Sequence, residues 1–152
     1  MIAAGKACAI YHDEHVRNLT SRRIQVDEIW SFTYAKQRNA AAAKGVKPAV
    51  IWHSGKLRSR QTGEAFWKAC NPFAEFKATR GLQPSDGPQL FRDVLAEEER
   101  DLLAVGHMPS LPRILALLSA GNEDVNLGFP LHGVVALSRT TGTLWTEEWR
   151  LP

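Results

Sequence analysis

Two short segments of this chain carry side chains suited to holding a phosphoryl group: Ser54-Gly-Lys-Leu-Arg58-Ser-Arg60-Gln61-Thr62 and Val105-Gly106-His107. Each follows an apolar run, Ala49 to Trp52 before the first and Leu102 to Gly106 before the second. In open α/β sheets, ligands bind beyond the carboxyl ends of the strands, so His53, Ser54 and His107 occupy favourable places. Arg58 lies four residues past Ser54, near a predicted helix start. There its guanidinium can fork onto phosphate oxygens while free backbone N–H groups add positive potential. The imidazole of His107, titrating near neutrality, can donate to a phosphoryl oxygen and stabilise the charge that develops during transfer. His53 is expected to be a strand-end neighbour of this pocket.

The elements that must position these groups alternate along the chain. A strand over 49–52 precedes a helix over 57–70, with Leu57, Ala65, Phe66 and Ala69 expected on one side. A strand follows at 76–79. Gly81-Leu-Gln-Pro84 reads as a turn, and a helix over about 87–99 has Asp86 as its expected N-cap and Leu90, Phe91, Val94 and Leu95 inward. After the strand over 102–106, Ser110 is expected to cap a helix with Pro112 in its first turn, burying Ile114, Leu115, Leu117 and Leu118. Strands at 133–137 and 144–149 close the chain, Trp145 and Trp149 sharing one face as core residues more readily than as a ligand platform. This alternation predicts an α/β, three-layer sandwich with a mainly parallel sheet and an antiparallel edge at the C-terminus.

The 152 residues, 44% hydrophobic and 23% charged, suit one globular domain with a real core. No apolar run is long enough to cross a bilayer and no signal-peptide layout opens the chain, so a cytoplasmic monomer without membrane contact is expected. Cys8 and Cys70 match no metal spacing and read as reduced thiols; no metal or cofactor is expected. The net charge of +3 is uneven: residues 1–44 carry seven Lys and Arg against four Asp and Glu, and the remainder carries equal numbers. A low-complexity stretch, Asn39-Ala-Ala-Ala-Ala-Lys44-Gly45, marks a seam at that boundary. Before it, residues 2–11 can form a short helix. Residues 24–34 read as a half-buried strand, with Ile24, Val26, Trp30, Phe32 and Tyr34 on one face and Gln25, Asp27, Ser31 and Thr33 on the other.

Three ordered stretches, Trp52-His-Ser-Gly-Lys-Leu-Arg58-Ser-Arg-Gln-Thr-Gly-Glu64, Gly81-Leu-Gln-Pro84 and Leu102-Leu-Ala-Val-Gly-His107-Met-Pro109, resemble the histidine phosphatase (phosphoglycerate-mutase-like) superfamily. Within it they look like the small phosphohistidine phosphatases of the SixA type, over about residues 45–152. The resemblance implies that Arg58 is the second phosphate-binding arginine and His107 the second pocket histidine, with Ser54, Arg60, Gln61 and Thr62 in binding or supporting positions. It also implies hydrolysis through a phosphohistidine, on a phosphorylated protein or a small phosphate. That reaction needs a nucleophilic histidine and an arginine from an Arg-His-Gly triplet on the first, central strand, and no such triplet occurs in the chain. The His132-Gly133 pair sits far downstream, and His12 and His15 follow no strand, so none of the three matches the nucleophile.

Residues 7–39 carry a second resemblance. The run Asp27-Glu-Ile-Trp-Ser-Phe32, followed by Ala35-Lys-Gln37, is similar to the start of the catalytic region of a DDE insertion-sequence transposase, in which Asp27 would be the first metal-binding carboxylate. Such sites need three carboxylates from a longer domain, so transposition itself is not expected. The two resemblances meeting at a seam suggest a chimera: a transposase-like segment, 1–44, replacing the first strand and helix of a truncated phosphatase-like domain, 45–152. Three functional readings follow: an impaired phosphohistidine phosphatase, a non-catalytic phosphate-binding module, and a DNA-binding remnant using Arg17, Arg22, Arg23, Lys36 and Arg38.

Overall fold

A four-residue run of β-branched and aromatic side chains, Val50-Ile-Trp-His53, is buried at every position, as expected of an interior parallel strand covered on both faces. The computed structural model describes residues 38–139 and 144–151. The helix expected over 2–11, the strand over 24–34, Cys8, Asp27 and the basic residues through Lys36 lie outside the described residues. Residues 38–43 are helical. Then follow β1 (Val50–His53), α1 (Leu57–Cys70), β2 (Glu75–Ala78), α2 (Pro88–Ala96), β3 (Leu102–Val105), α3 (Ser110–Ala120), β4 (Val134–Arg139) and β5 (Trp145–Leu151).

The first three strands form a parallel sheet in the order β2-β1-β3, and β4 and β5 form an antiparallel pair. Val50 and Trp52 join Leu82, Phe91, Leu95, Ile114 and Leu118 in a core cluster beneath α2 and α3. Because side chains alternate across a strand, Ile51 and His53 face the other layer, where α1 packs. Removing a buried apolar side chain from water contributes about 1.5–3 kcal/mol, so this cluster anchors the sandwich. Gly63 lets α1 approach closely: a Cβ there would stand 2.9 Å from the Phe76 ring.

Several expectations change in detail. The buried stripe of α1 is Ser59, Thr62, Gly63 and Phe66, while Leu57 is 69% exposed and Ala69 is exposed. The helix turns its small and hydroxyl residues inward because that face borders the polar strand ends. Asp86 does not cap α2; Gly87 does, and the Asp86 carboxylate accepts N–H groups from Gly81 and Gln83 at 2.9 and 3.0 Å. Ser110 lies inside the first turn of α3, fully buried, and Pro109 holds the N-cap position. Leu90 is 46% exposed, whereas Phe91 and Leu95 are buried. Cys70 is a free, half-buried thiol whose pKa burial pushes up. Trp145 packs against the core cluster, and both it and Trp149 alternate with exposed neighbours along β5.

A cleft of about 1120 Å³ separates β3 from β4. Its edges are Leu102–Val105 and residues 134–138, its walls are α1 and α3, and residues 45–48 lie along it. Among the described residues no strand pairs with the outer edge of β3 or of β4. Among them, too, no helix is long and apolar enough to cross a membrane.

The turn entering α2 depends on Gly81, which has φ +86° and would place a Cβ 2.5 Å from the Phe91 nitrogen. Gly81→Ala should lower unfolding stability by about 2 kcal/mol or more, from strain and backbone displacement together. Urea unfolding measures this, and a loss below about 0.5 kcal/mol would contradict the tight approach.

Candidate functional site

The register of β1 on β3 pairs His53 with Val105, so Ser54 and Gly106 leave the sheet side by side. The Oγ of Ser54 then lies 2.7 Å from Nε2 of His107 and 2.6 Å from Oγ of Ser59, in the first turn of α1. The N–H of Lys56 donates to the Ser54 hydroxyl at 3.3 Å, and Ser59 donates to the Lys56 carbonyl at 3.0 Å. When Ser59 spends its one hydrogen on that carbonyl, Ser54 donates to Ser59 and Nε2–H of His107 donates to Ser54. Ser54 and Ser59 are 5% and 2% exposed, which fixes the cluster against α1.

The N-terminus of α1 adds to this concentration of donors. Its N-cap, Lys56, contributes no side-chain capping bond, and no acidic residue occupies the first turn. Free first-turn N–H groups carry the positive end of the helix dipole. Arg58, Ser59, Thr62 and His107 line the same cleft. Burial lowers the pKa of His107, and the positive charges of Lys56 and Arg58 lower it further. All three influences favour the neutral ring, which has one N–H to donate. His53 is lowered too, first by burial and then by Arg60, against an opposing pull from Glu64. Its Nδ1 accepts the Gly55 N–H at 3.1 Å, and its ring packs on Phe76 with centroids 4.8 Å apart.

The structure thus brings Arg58, Thr62 and His107 to one cleft, and buried Ser54 bonds to the His107 ring beside it. Thr62 is 9% exposed and donates its hydroxyl to the Arg58 carbonyl at 2.9 Å, so it supports the helix turn that carries the arginine. Arg60 and Gln61 are exposed outside the cleft lining, and Arg60 pairs with Glu64 at 2.9 Å. Sequence reasoning passed over Ser59 and Lys56. The spacing Ser59 to Thr62, with Gly63 and Phe66, was the available signal: positions three, four and seven apart share one helix face. His132 also lines the cleft, exposed and with φ +59°. Among the described residues no three His, Cys, Asp or Glu side chains gather to hold a metal.

The sequence matches no family model and no curated protein. Solved structures do match. One is the Agrobacterium tumefaciens protein assigned as the phosphohistidine phosphatase SixA, at 21% identity and TM-score 0.65, covering 78% of this chain and 77% of that one. Another is the protein histidine phosphatase SixA complexed with tungstate, at 18% identity and TM-score 0.70, covering 89% of this chain and 88% of that one. The fold is that of the SixA phosphohistidine phosphatases. The α/β sandwich and its parallel sheet agree with the expectation from sequence.

Both His53 and His107 have folded-state pKa values below the ordinary 6.5, so the unfolded chain takes up these protons first as pH falls. Their contribution to stability is whole above that value and declines as pH drops below it. The thermal midpoint should fall between about pH 7 and about pH 5, and His53→Asn, which keeps an acceptor for the Gly55 N–H, should flatten part of that slope. An unchanged slope in the variant would remove His53 from the account.

Proposed function

We propose that this chain binds a phosphoryl group or related tetrahedral oxyanion where β1 and β3 end, and that it does not turn over phosphate through a phosphohistidine of its own. The contact that carries this reading is the 2.7 Å bond between Ser54 and His107, made beside Arg58 at an uncapped helix N-terminus. A dianion entering there meets the guanidinium of Arg58 and the free N–H groups of α1, and takes the Nε2–H of His107 in place of the Ser54 hydroxyl. Negative charge offsets the Lys56 and Arg58 fields that depress His107, so binding raises its pKa and draws in a proton. Oxyanion affinity therefore rises as pH falls toward the ordinary histidine range.

The absence of an Arg-His-Gly triplet from the sequence supports the second half of the reading, because loss of a nucleophile typically costs many decades of rate. The exposed apolar neighbours of the cluster bear on substrate class. Leu57 stands next to Arg58, Met108 next to His107 and Leu131 next to His132, with 69%, 46% and 69% exposure. An apolar rim of this kind favours a phosphorylated side chain on a protein over a free small phosphate. The tungstate held by a structural neighbour makes that oxyanion a suitable probe.

Titration with tungstate, followed by histidine NMR shifts, should give saturable binding that moves the His107 resonance. Ser54→Ala should weaken it about tenfold, and His107→Ala by about ten- to a hundredfold, the range for losing a neutral and a charge-assisted hydrogen bond. Affinity unchanged in both variants would place the anion elsewhere. Turnover of an aryl phosphate and of a phosphohistidine protein should be absent in the unmodified chain and recovered when an Arg-His-Gly first strand is restored. Turnover in the unmodified chain that is lost in His107→Ala or His132→Ala would overturn the second half.

A further inference from the structure

The tautomer of a neutral histidine is set by the groups its ring nitrogens meet. Among the described residues the His107 ring has one hydrogen bond, between Nε2 and Oγ of Ser54 at 2.7 Å. A hydroxyl does not choose a tautomer by itself, because it can accept from an Nε2–H or donate to a bare Nε2. The choice falls to whatever fixes the hydroxyl hydrogen of Ser54.

That hydrogen is fixed from the far end of a short run of polar contacts. The carbonyl of Lys56, the N-cap of α1, can only accept, and it takes the Arg60 N–H at 3.0 Å in the first backbone bond of the helix. Oγ of Ser59 lies 3.0 Å from the same carbonyl and 2.6 Å from Oγ of Ser54. The Lys56 N–H reaches Ser54 at 3.3 Å. Followed outward from the carbonyl, a hydrogen fills every contact: Ser59 donates to Lys56, Ser54 donates to Ser59, and both the Lys56 N–H and the His107 Nε2–H donate to Ser54. In the reverse direction Ser59 donates to Ser54 and Ser54 to Nε2, which leaves the Ser59 oxygen against a carbonyl oxygen at 3.0 Å with no hydrogen between them. Ser59 is 2% exposed and gains little from solvent, so that arrangement carries the cost of a buried acceptor facing another acceptor.

We infer that Ser59 is a positioning residue for His107: acting through Ser54, it transmits the direction imposed by the Lys56 carbonyl and holds the neutral ring as the Nε2–H tautomer. The consequence for ligands rests on the proposed oxyanion site. An Nε2–H is a donor ready for an anion, whereas a bare Nε2 turns a lone pair toward it. The Nε2–H fraction is therefore the binding-competent fraction of the site, and the apparent dissociation constant rises as the inverse of that fraction. Ser59 thus supplies a donor on His107 before any anion arrives and without a charge on the ring.

Ring-nitrogen NMR of the intact, unliganded chain tests the inference at about pH 8, above the ordinary histidine range. His107 should show a protonated Nε2 and a bare Nδ1. Ser59→Ala frees the Ser54 hydroxyl to donate to Nε2, so the Nε2–H population should fall about threefold or more, the scale of one neutral hydrogen bond. Ser59→Thr, which keeps the hydroxyl, should keep the tautomer. In Ser59→Ala, tungstate affinity at the same pH should fall by the same factor as the Nε2–H population. A role confined to packing α1 would move neither ring nitrogen. An Nδ1–H ring in the unmodified chain, or unchanged nitrogen signals in Ser59→Ala, would sink the inference whether or not tungstate binds. A tautomer shift in a chain that does not bind tungstate would instead remove the oxyanion site and leave the role of Ser59 standing. If Ser59→Ala does not fold, Ser59→Cys is measured in its place, because sulfur is a weak acceptor and releases the Ser54 hydroxyl in the same way, with the same outcomes deciding.

Discussion

The parallel register of β1 on β3 pairs His53 with Val105, and from that alignment the Ser54, Ser59 and His107 contacts all follow. A one-residue slip would turn every side chain of one strand to the opposite face, carrying Trp52 out of the core and His107 away from Ser54. The core cluster and the polar cluster therefore enforce the same register from opposite ends of two short strands. Hydrophobic packing under α2 and α3 supplies the larger free energy. The polar end supplies specificity, because its buried hydroxyls are satisfied in one arrangement.

At that polar end, burial and positive charge act on His107 in the same direction, and both favour the neutral ring. The same positive charges make the place attractive to an anion. On the proposed reading, protonation and anion occupancy are coupled through one imidazole, with Lys56 and Arg58 as the common term. His53, three residues before Lys56 and on the α1 side, is tied instead to Gly55 and Phe76, which makes it a structural end to β1.

Much of this was legible in the sequence because short apolar runs and helical periodicity report burial directly. The limits of α1 and the start of β3 agree with the sequence reading, at Leu57 to Cys70 and at Leu102. What periodicity concealed was the inward face of α1, where Ser59, Thr62 and Gly63 are buried for polar contact and close approach, not for hydrophobicity. The cap assignments failed for a related reason. Asp86 found two better-placed N–H donors in the turn behind it, and the side chain of Ser110 was drawn into the interior. Arg58 and His107 were recognisable by type and position, whereas Lys56 acts through its backbone and its charge, which leave no mark in a pattern of residue types.

Between the two sheet pieces, the described residues supply side-chain packing and no strand ladder: α3 rests on β5, Trp145 and Leu137 meet the core cluster, and Lys44 covers Trp149. A ladder of hydrogen bonds permits displacement only in steps of whole residues. Apolar packing and a cation over a ring vary smoothly with distance. Among the described residues, the contacts that bear on the spacing of β3 from β4 are therefore of the graded kind, whereas the joints inside each sheet piece are indexed.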